Sequence, residues 1–183
     1  MDKFKTFILA LSITFLAFLV LLGSTAGIVQ MLFMTFIYIF RKPLRFVLRL
    51  ITKRDFILVV VFGILFGLVE EVLWYVSDPG MQAIFSSLYI DLASTFPAYL
   101  VFYLIIYILA RNGTTQKKAF IYGGIFGYVF YFIAESGLLG FQFGGIPGAP
   151  LWLILIWEIN NFFLNGLLVW FPLYLSDLFV DRN

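Results

Sequence analysis

Glu70, Glu71, Asp91, Glu135 and Glu158 interrupt otherwise apolar stretches of the chain, and they are the residues best equipped for chemistry. The remaining acids, Asp2, Asp55, Asp78, Asp177 and Asp181, fall at ends or in connections. No Lys or Arg stands in the apolar stretches that carry the five. A charge at a bilayer centre costs ~2.5–3.5 kcal/mol on insertion scales, so such acids face a protein interior or water and point to function. Clustered carboxylates with amide oxygens suit hard cations such as calcium, magnesium or manganese, and crowded, desolvated carboxyl groups also exchange protons.

Helical spacing says which residues share a face with each acid. Gly63, Gly67, Glu71 and Tyr75 are spaced by four, as are Gly123, Gly127, Tyr131 and Glu135. Each series continues a small-residue stripe into an acid, and such stripes let helices approach closely. The two stripes are expected to pack against one another or against a shared partner. Further along, Glu158, Asn161 and Asn165 line one face with Asn160 adjacent, which puts a carboxylate and amide oxygens on one helix. The candidate ligand set is therefore Glu70, Glu71, Trp74, Tyr75, Asp91, Tyr131, Glu135, Glu158, Asn160, Asn161 and Asn165. Glu71, Glu135 and Glu158 form the metal-binding candidate within it. The competing expectation is that these acids bond to Tyr75, Tyr131, Asn161 and Trp side chains and only hold helices together.

The elements that must position these residues are apolar helices. The 183 residues are 63% hydrophobic and 12% charged, with a mean hydropathy of +1.04, beyond what a soluble core accommodates. The expected fold is an all-α, polytopic integral membrane helix bundle of about six transmembrane helices, forming one domain over 1–183. Its spans are read at about 5–22, 28–40, 56–76, 86–110, 119–138 and 151–175, with kinks at Pro97 and Pro172. The segment Gly23-Ser24-Thr25-Ala26-Gly27 supplies the first turn. The second span is short for a bilayer, and the first, preceded by Lys3 and Lys5, also has the look of a signal peptide. The apolar run continues past the candidate cleavage site, so an uncleaved first helix is the reading adopted.

The twelve basic residues fix the orientation. They lie in the amino terminus (Lys3, Lys5), the second connection (Arg41, Lys42, Arg45, Arg49, Lys53, Arg54), the fourth connection (Arg111, Lys117, Lys118) and the tail (Arg182). The positive-inside rule then places both termini in the cytoplasm, the cytoplasmic membrane of a prokaryote is the expected location, and a rise of ~1.5 Å per residue puts all five acids in the outer half of the bilayer. Pro43 to Ile51 alternates Arg with apolar residues at helical spacing, as an interfacial helix does. The Gly-rich connection 140–150 is read as an outer loop, with a cover over the acids as the alternative.

Composition also excludes several functions. A net charge of +2 gives no case for nucleic acid. With no Cys and no His there is no disulfide framework, thiolate, imidazole base or usual zinc site. No haem, zinc-finger or nucleotide signature is present, and a divalent cation is the cofactor that the donors suggest. The lipid bilayer is the expected partner. A membrane-protein partner or a second copy of the chain is the expectation if the role is that of an accessory subunit, the aromatic surface then packing against it.

Two family resemblances add to this. Glu70-Glu71, then Phe132-Ile133-Ala134-Glu135, then Leu151-Trp152 with Glu158 and Asn160-Asn161, resembles a reduced form of the CAAX-type intramembrane protease family. The resemblance implies a glutamate-dependent hydrolase, with Glu70 and Glu71 activating water and Glu135 and Glu158 where the family's histidines stand. The chain departs from that pattern in having no histidine, in lacking an arginine after the Glu pair, and in the spacing of its asparagines. In size and topology the chain also looks like the substrate-binding subunits of energy-coupling-factor vitamin transporters. That likeness implies a solute gripped by Glu71, Trp74, Tyr75, Trp157 and Asn161. The leading expectation is an outward-facing intramembrane acidic site that binds or translocates a divalent metal, a proton or a cationic small solute, with no enzymatic step required.

Overall fold

The computed structural model describes residues 3–77, 87–135 and 151–180. Seven α-helices carry these residues: α1 (Lys3–Leu22), α2 (Thr25–Ile39), α3 (Arg41–Ile51), α4 (Phe62–Ser77), α5 (Leu88–Ala110), α6 (Gln116–Glu135) and α7 (Leu151–Leu175). A π-helical stretch, Ile57–Val61, runs directly into α4. The apolar stretches read from the sequence are helical over their described residues except at Phe40, a turn, and Ser87, a bend. α2 begins at Thr25 and not after Gly27, because Ser24 caps it there, and α5 and α7 continue through Pro97 and Pro172 without a break.

Local chemistry explains the boundaries. Gly23 adopts a left-handed φ of 67°, which ends α1, and Ser24 then caps α2 by accepting a hydrogen bond from the Gly27 amide at 3.3 Å. Pro43 sits in the first turn of α3, where a missing N–H costs no intrahelical bond. Two helices, Ile57–Ser77 and Leu88–Ala110, are long and apolar enough to cross a membrane by length and composition. The apolar segments Thr6–Leu21, Thr25–Ile39 and Ile159–Leu175 are shorter. At about 1.5 Å per residue, the 15-residue α2 reaches roughly 22 Å, against about 30 Å of hydrocarbon.

The core is built around α7, which packs against α2, α3, α4, α5 and α6. Its aromatic side chains meet the others directly: Phe163 lies 5.5 Å from Phe15 of α1, Trp170 lies 5.2 Å from Tyr38 of α2, and Phe171 lies 4.8 Å from Phe66 of α4. Close approach of α6 and α7 depends on glycine. A Cβ on Gly127 would fall 2.1 Å from Asn165 Cγ, and one on Gly123 would fall 2.6 Å from the Asn165 carbonyl oxygen. The α4 glycines serve a different neighbour, because Gly63 and Gly67 lie flat against the rings of Tyr103 and Tyr99 on α5. The expectation that the two stripes share a contact is thereby corrected. One receives tyrosine rings from α5 and the other receives the backbone and short side chains of α7.

The basic segments gather at one end of the bundle. Asp177, just beyond α7, takes a hydrogen bond from Arg45 of α3 and forms an ion pair with Arg49, each at 2.8 Å, and its backbone amide donates to Asp55 at 2.8 Å. Thr114, in the α5–α6 connection, pairs with the tail through Thr114 N to the Leu178 carbonyl and Val180 N to the Thr114 carbonyl, both 2.9 Å. Phe4, near the start of α1, reaches the same end, with its ring 6.1 Å from Phe120 and 6.2 Å from Trp170.

Candidate functional site

α4 presents Glu70 and Glu71 to two different neighbours. One residue advances about 100° around a helix, so two successive acids cannot share a face. Glu70 is 6% exposed and turns toward α2, where the Gln30 side-chain amide donates to its Oε1. The other oxygen of Glu70 lies 3.5 Å from the Tyr99 hydroxyl of α5. Glu71 is half-buried, and its Oε1 lies 3.1 Å from the same hydroxyl. A single phenolic hydrogen thus stands within reach of two carboxyl groups, and three helices, α2, α4 and α5, meet at them.

Packing fixes this geometry. Gly67 lies one turn before Glu71, and a Cβ there would fall 2.8 Å from the Tyr99 ring. The absent side chain is what lets the ring lie against α4 with its hydroxyl at the two acids. One turn further along α5, Tyr103 fills the space at Gly63 and sends its hydroxyl to the Leu168 carbonyl of α7 at 3.1 Å. The two tyrosines are therefore anchored side by side, with ring centroids 6.3 Å apart.

The other sequence candidates distribute as follows. Trp74 and Tyr75, one turn beyond Glu70 and Glu71 on α4, are half-buried. Asn160 and Asn161 are buried on α7, and among the described residues Asn160 Oδ1 is enclosed without a hydrogen-bond partner. Asn165 is occupied with packing: its amide donates to the Asn161 carbonyl at 2.9 Å, and its side chain lies against Gly127. Asp91, Tyr131, Glu135 and Glu158 belong to α5, α6 and α7, and Trp157 to α7, but their side chains lie outside the described set. Of the proposed metal set, Glu71 is described and meets Tyr99, whereas Glu135 and Glu158 fall outside the described side chains, and the connection 140–150 lies outside the described residues. Among the described residues no three acidic side chains gather as a metal site.

Two site residues are additions to the sequence reading. Gln30 is the one amide side chain in the apolar run of α2, a signal available from the sequence. Tyr99 is one of ten tyrosines and carries no comparable mark, since its role follows from facing Gly67. Comparison with family models, with curated proteins and with solved structures finds no match.

Proposed function

We propose that the chain is a multi-pass membrane protein of about six spans, with both termini in the cytoplasm. Within it, Glu70 and Glu71, held by Gln30 and Tyr99, form the core of an intramembrane cation site in the outer half of the bilayer. The single observation that carries this reading is the buried Glu70 beside Glu71, with one tyrosine hydroxyl between them and no Lys or Arg in that span. Two neighbouring carboxyl groups in a low-dielectric interior are costly as two negative charges, so a proton or another cation is favoured there. A divalent ion needs more oxygen ligands than these two side chains supply. Glu135, Glu158 and Asn160 are the candidates to complete the set.

Binding fits this geometry better than hydrolysis. Glu70 is enclosed and one of its oxygens already accepts from Gln30, which suits it poorly to activating an attacking water. A structural tie between α2, α4 and α5 is the second reading, favoured by the same two donors.

The deciding experiment titrates purified protein with Mg2+, Ca2+ and Mn2+ by calorimetry in buffers of different ionisation enthalpy, alongside melting curves. A bound cation that displaces a proton gives a buffer-dependent heat. Ligand at a hundredfold excess over Kd stabilises the fold by about 2.7 kcal/mol. The Glu70→Gln/Glu71→Gln variant is expected to lose both signals. Wild type and variant melting alike, with and without each ion and with no heat, would leave the structural tie as the function.

A further inference from the structure

We propose a second site, at the opposite end of the bundle, that binds the phosphate of an anionic membrane lipid against Arg41. It rests on the membrane reading above and is independent of the Glu70–Glu71 site. Leu9 of α1, Tyr38 and Ile39 of α2, and Arg41 of α3 line a cavity of about 240 Å³. Its walls are of two kinds. Leu9 and the largely exposed Ile39 are aliphatic, whereas Arg41 supplies a guanidinium.

Arg41 differs from the other arginines of its helix. Arg45 and Arg49 pair with Asp177, and Arg49 pairs with Asp55 as well, whereas Arg41 has no acidic partner among the described residues. Its Nη1 donates to the Tyr38 carbonyl at 2.6 Å, and the guanidinium lies 4.4 Å over the Tyr38 ring and 5.9 Å from that of Tyr174. Of five N–H donors, one is used in this way, and the cation is held in place by aromatic faces that cannot neutralise it. A planar fork of remaining donors beside a cavity is suited to a tetrahedral oxyanion, which it can bind bidentately.

Surroundings identify the source of that oxyanion as a lipid. α3 leaves Phe46, Val47, Leu50 and Ile51 exposed along one side while Arg41, Arg45 and Arg49 follow another, the arrangement of a helix lying in the headgroup layer. Lys42 adds an exposed positive charge beside Arg41. Anionic lipids of the cytoplasmic leaflet meet basic groups at this level. The cavity is smaller than the roughly 300–1,000 Å³ of small-molecule pockets, so it takes a headgroup phosphodiester and leaves the acyl chains to run past Ile39 into the bilayer.

The test uses the full chain in nanodiscs of phosphatidylcholine with graded phosphatidylglycerol, reading retained lipid by native mass spectrometry and melting by fluorescence. Wild type is expected to retain and be stabilised by phosphatidylglycerol over phosphatidylcholine. Arg41→Met is expected to weaken this about tenfold, the scale of one charge-assisted hydrogen-bonded contact, with Arg41→Lys intermediate and Lys53→Met unchanged. Equal losses in Arg41→Met and Lys53→Met would reduce the effect to diffuse charge and overturn the site. Equal stabilisation in detergent by inorganic phosphate alone would overturn the lipid assignment. If Arg41→Met does not fold, Arg41→Lys and the wild-type preference decide. Protein that embeds normally yet shows no phosphatidylglycerol preference overturns this site alone, whereas protein absent from both bilayers overturns the membrane reading with it.

Discussion

The Tyr99 hydroxyl stands 3.1 Å from Glu71 Oε1, a contact between α5 and α4 that also brings Glu70 within 3.5 Å of the same donor. Removing that hydroxyl leaves the ring packing intact and withdraws one hydrogen from two acids. Tyr99→Phe is expected to lower stability by about 0.6 kcal/mol and by no more than about 1.7 kcal/mol, the average and maximum for interhelical hydrogen bonds in membranes. It should weaken cation binding by a larger factor if the hydroxyl aligns the carboxyl groups for a ligand. Melting curves and calorimetry on the same preparation separate the two effects, and a stability loss with unchanged binding would assign Tyr99 to the structural tie.

Gly67 controls the same contact from beneath the ring. A methyl group there would meet three Tyr99 ring atoms at 2.8–2.9 Å, and the helix backbone cannot move away without disturbing Gly63 and Tyr103. Gly67→Ala is expected to cost about 1–3 kcal/mol as an overpacked site and to weaken binding by displacing the hydroxyl. The measurement is a double-mutant cycle with Tyr99→Phe. Coupled losses in binding are expected because both changes act through one hydroxyl, and additive losses would show that Gly67 acts elsewhere.

The sequence made the helices legible because their apolar runs are long and their breaks are chemical: Gly23 and Ser24, the charged stretch before Ile57, and Arg111 to Thr115. The Glu70-Glu71 pair was visible as an anomaly of charge. Its arrangement was not. Spacing by four put Glu71 on the glycine face and gave it the greater weight, yet Glu70 is the enclosed acid, because the glycine face is taken up by Tyr99 and Tyr103 while the adjacent face meets α2. A one-residue difference in helical position decides which acid is buried, and only the choice of neighbouring helix settles it. The role of Tyr99 and the separate partners of the two glycine stripes depend on the same choice, whereas Gln30 stands out in the sequence as the one amide in its apolar run.

Asp177 joins the end of α7 to α3 through two arginines, with its own side chain 52% exposed. Ion pairs so open to solvent contribute little individually, about 0.2–1 kcal/mol each, and salt screens them. Asp177→Asn is therefore expected to lower the melting temperature modestly at low ionic strength, with the difference from wild type shrinking as salt approaches molar concentration. A salt-independent loss would point instead to the geometry of the Asp177 side chain between the two arginines, since the backbone N–H that donates to Asp55 is unchanged in this variant.

Orientation can be tested cleanly because the chain contains no cysteine, so each introduced thiol is the sole reactive site. Lys53 precedes Asp55 at the basic end of the bundle, Thr115 follows the Thr114 pairing with the tail, and Ser77 closes α4 at its other end. The positive-inside rule places the first two positions in the cytoplasm and the third outside. A membrane-impermeant maleimide is expected to label Ser77→Cys in intact cells, and Lys53→Cys and Thr115→Cys only after permeabilisation. Labelling of Lys53→Cys in intact cells would invert the protein. The Glu70–Glu71 pair, six to seven residues from the Ser77 end of its helix, would then lie nearer the cytoplasm, and its ligand would have to be sought on that side.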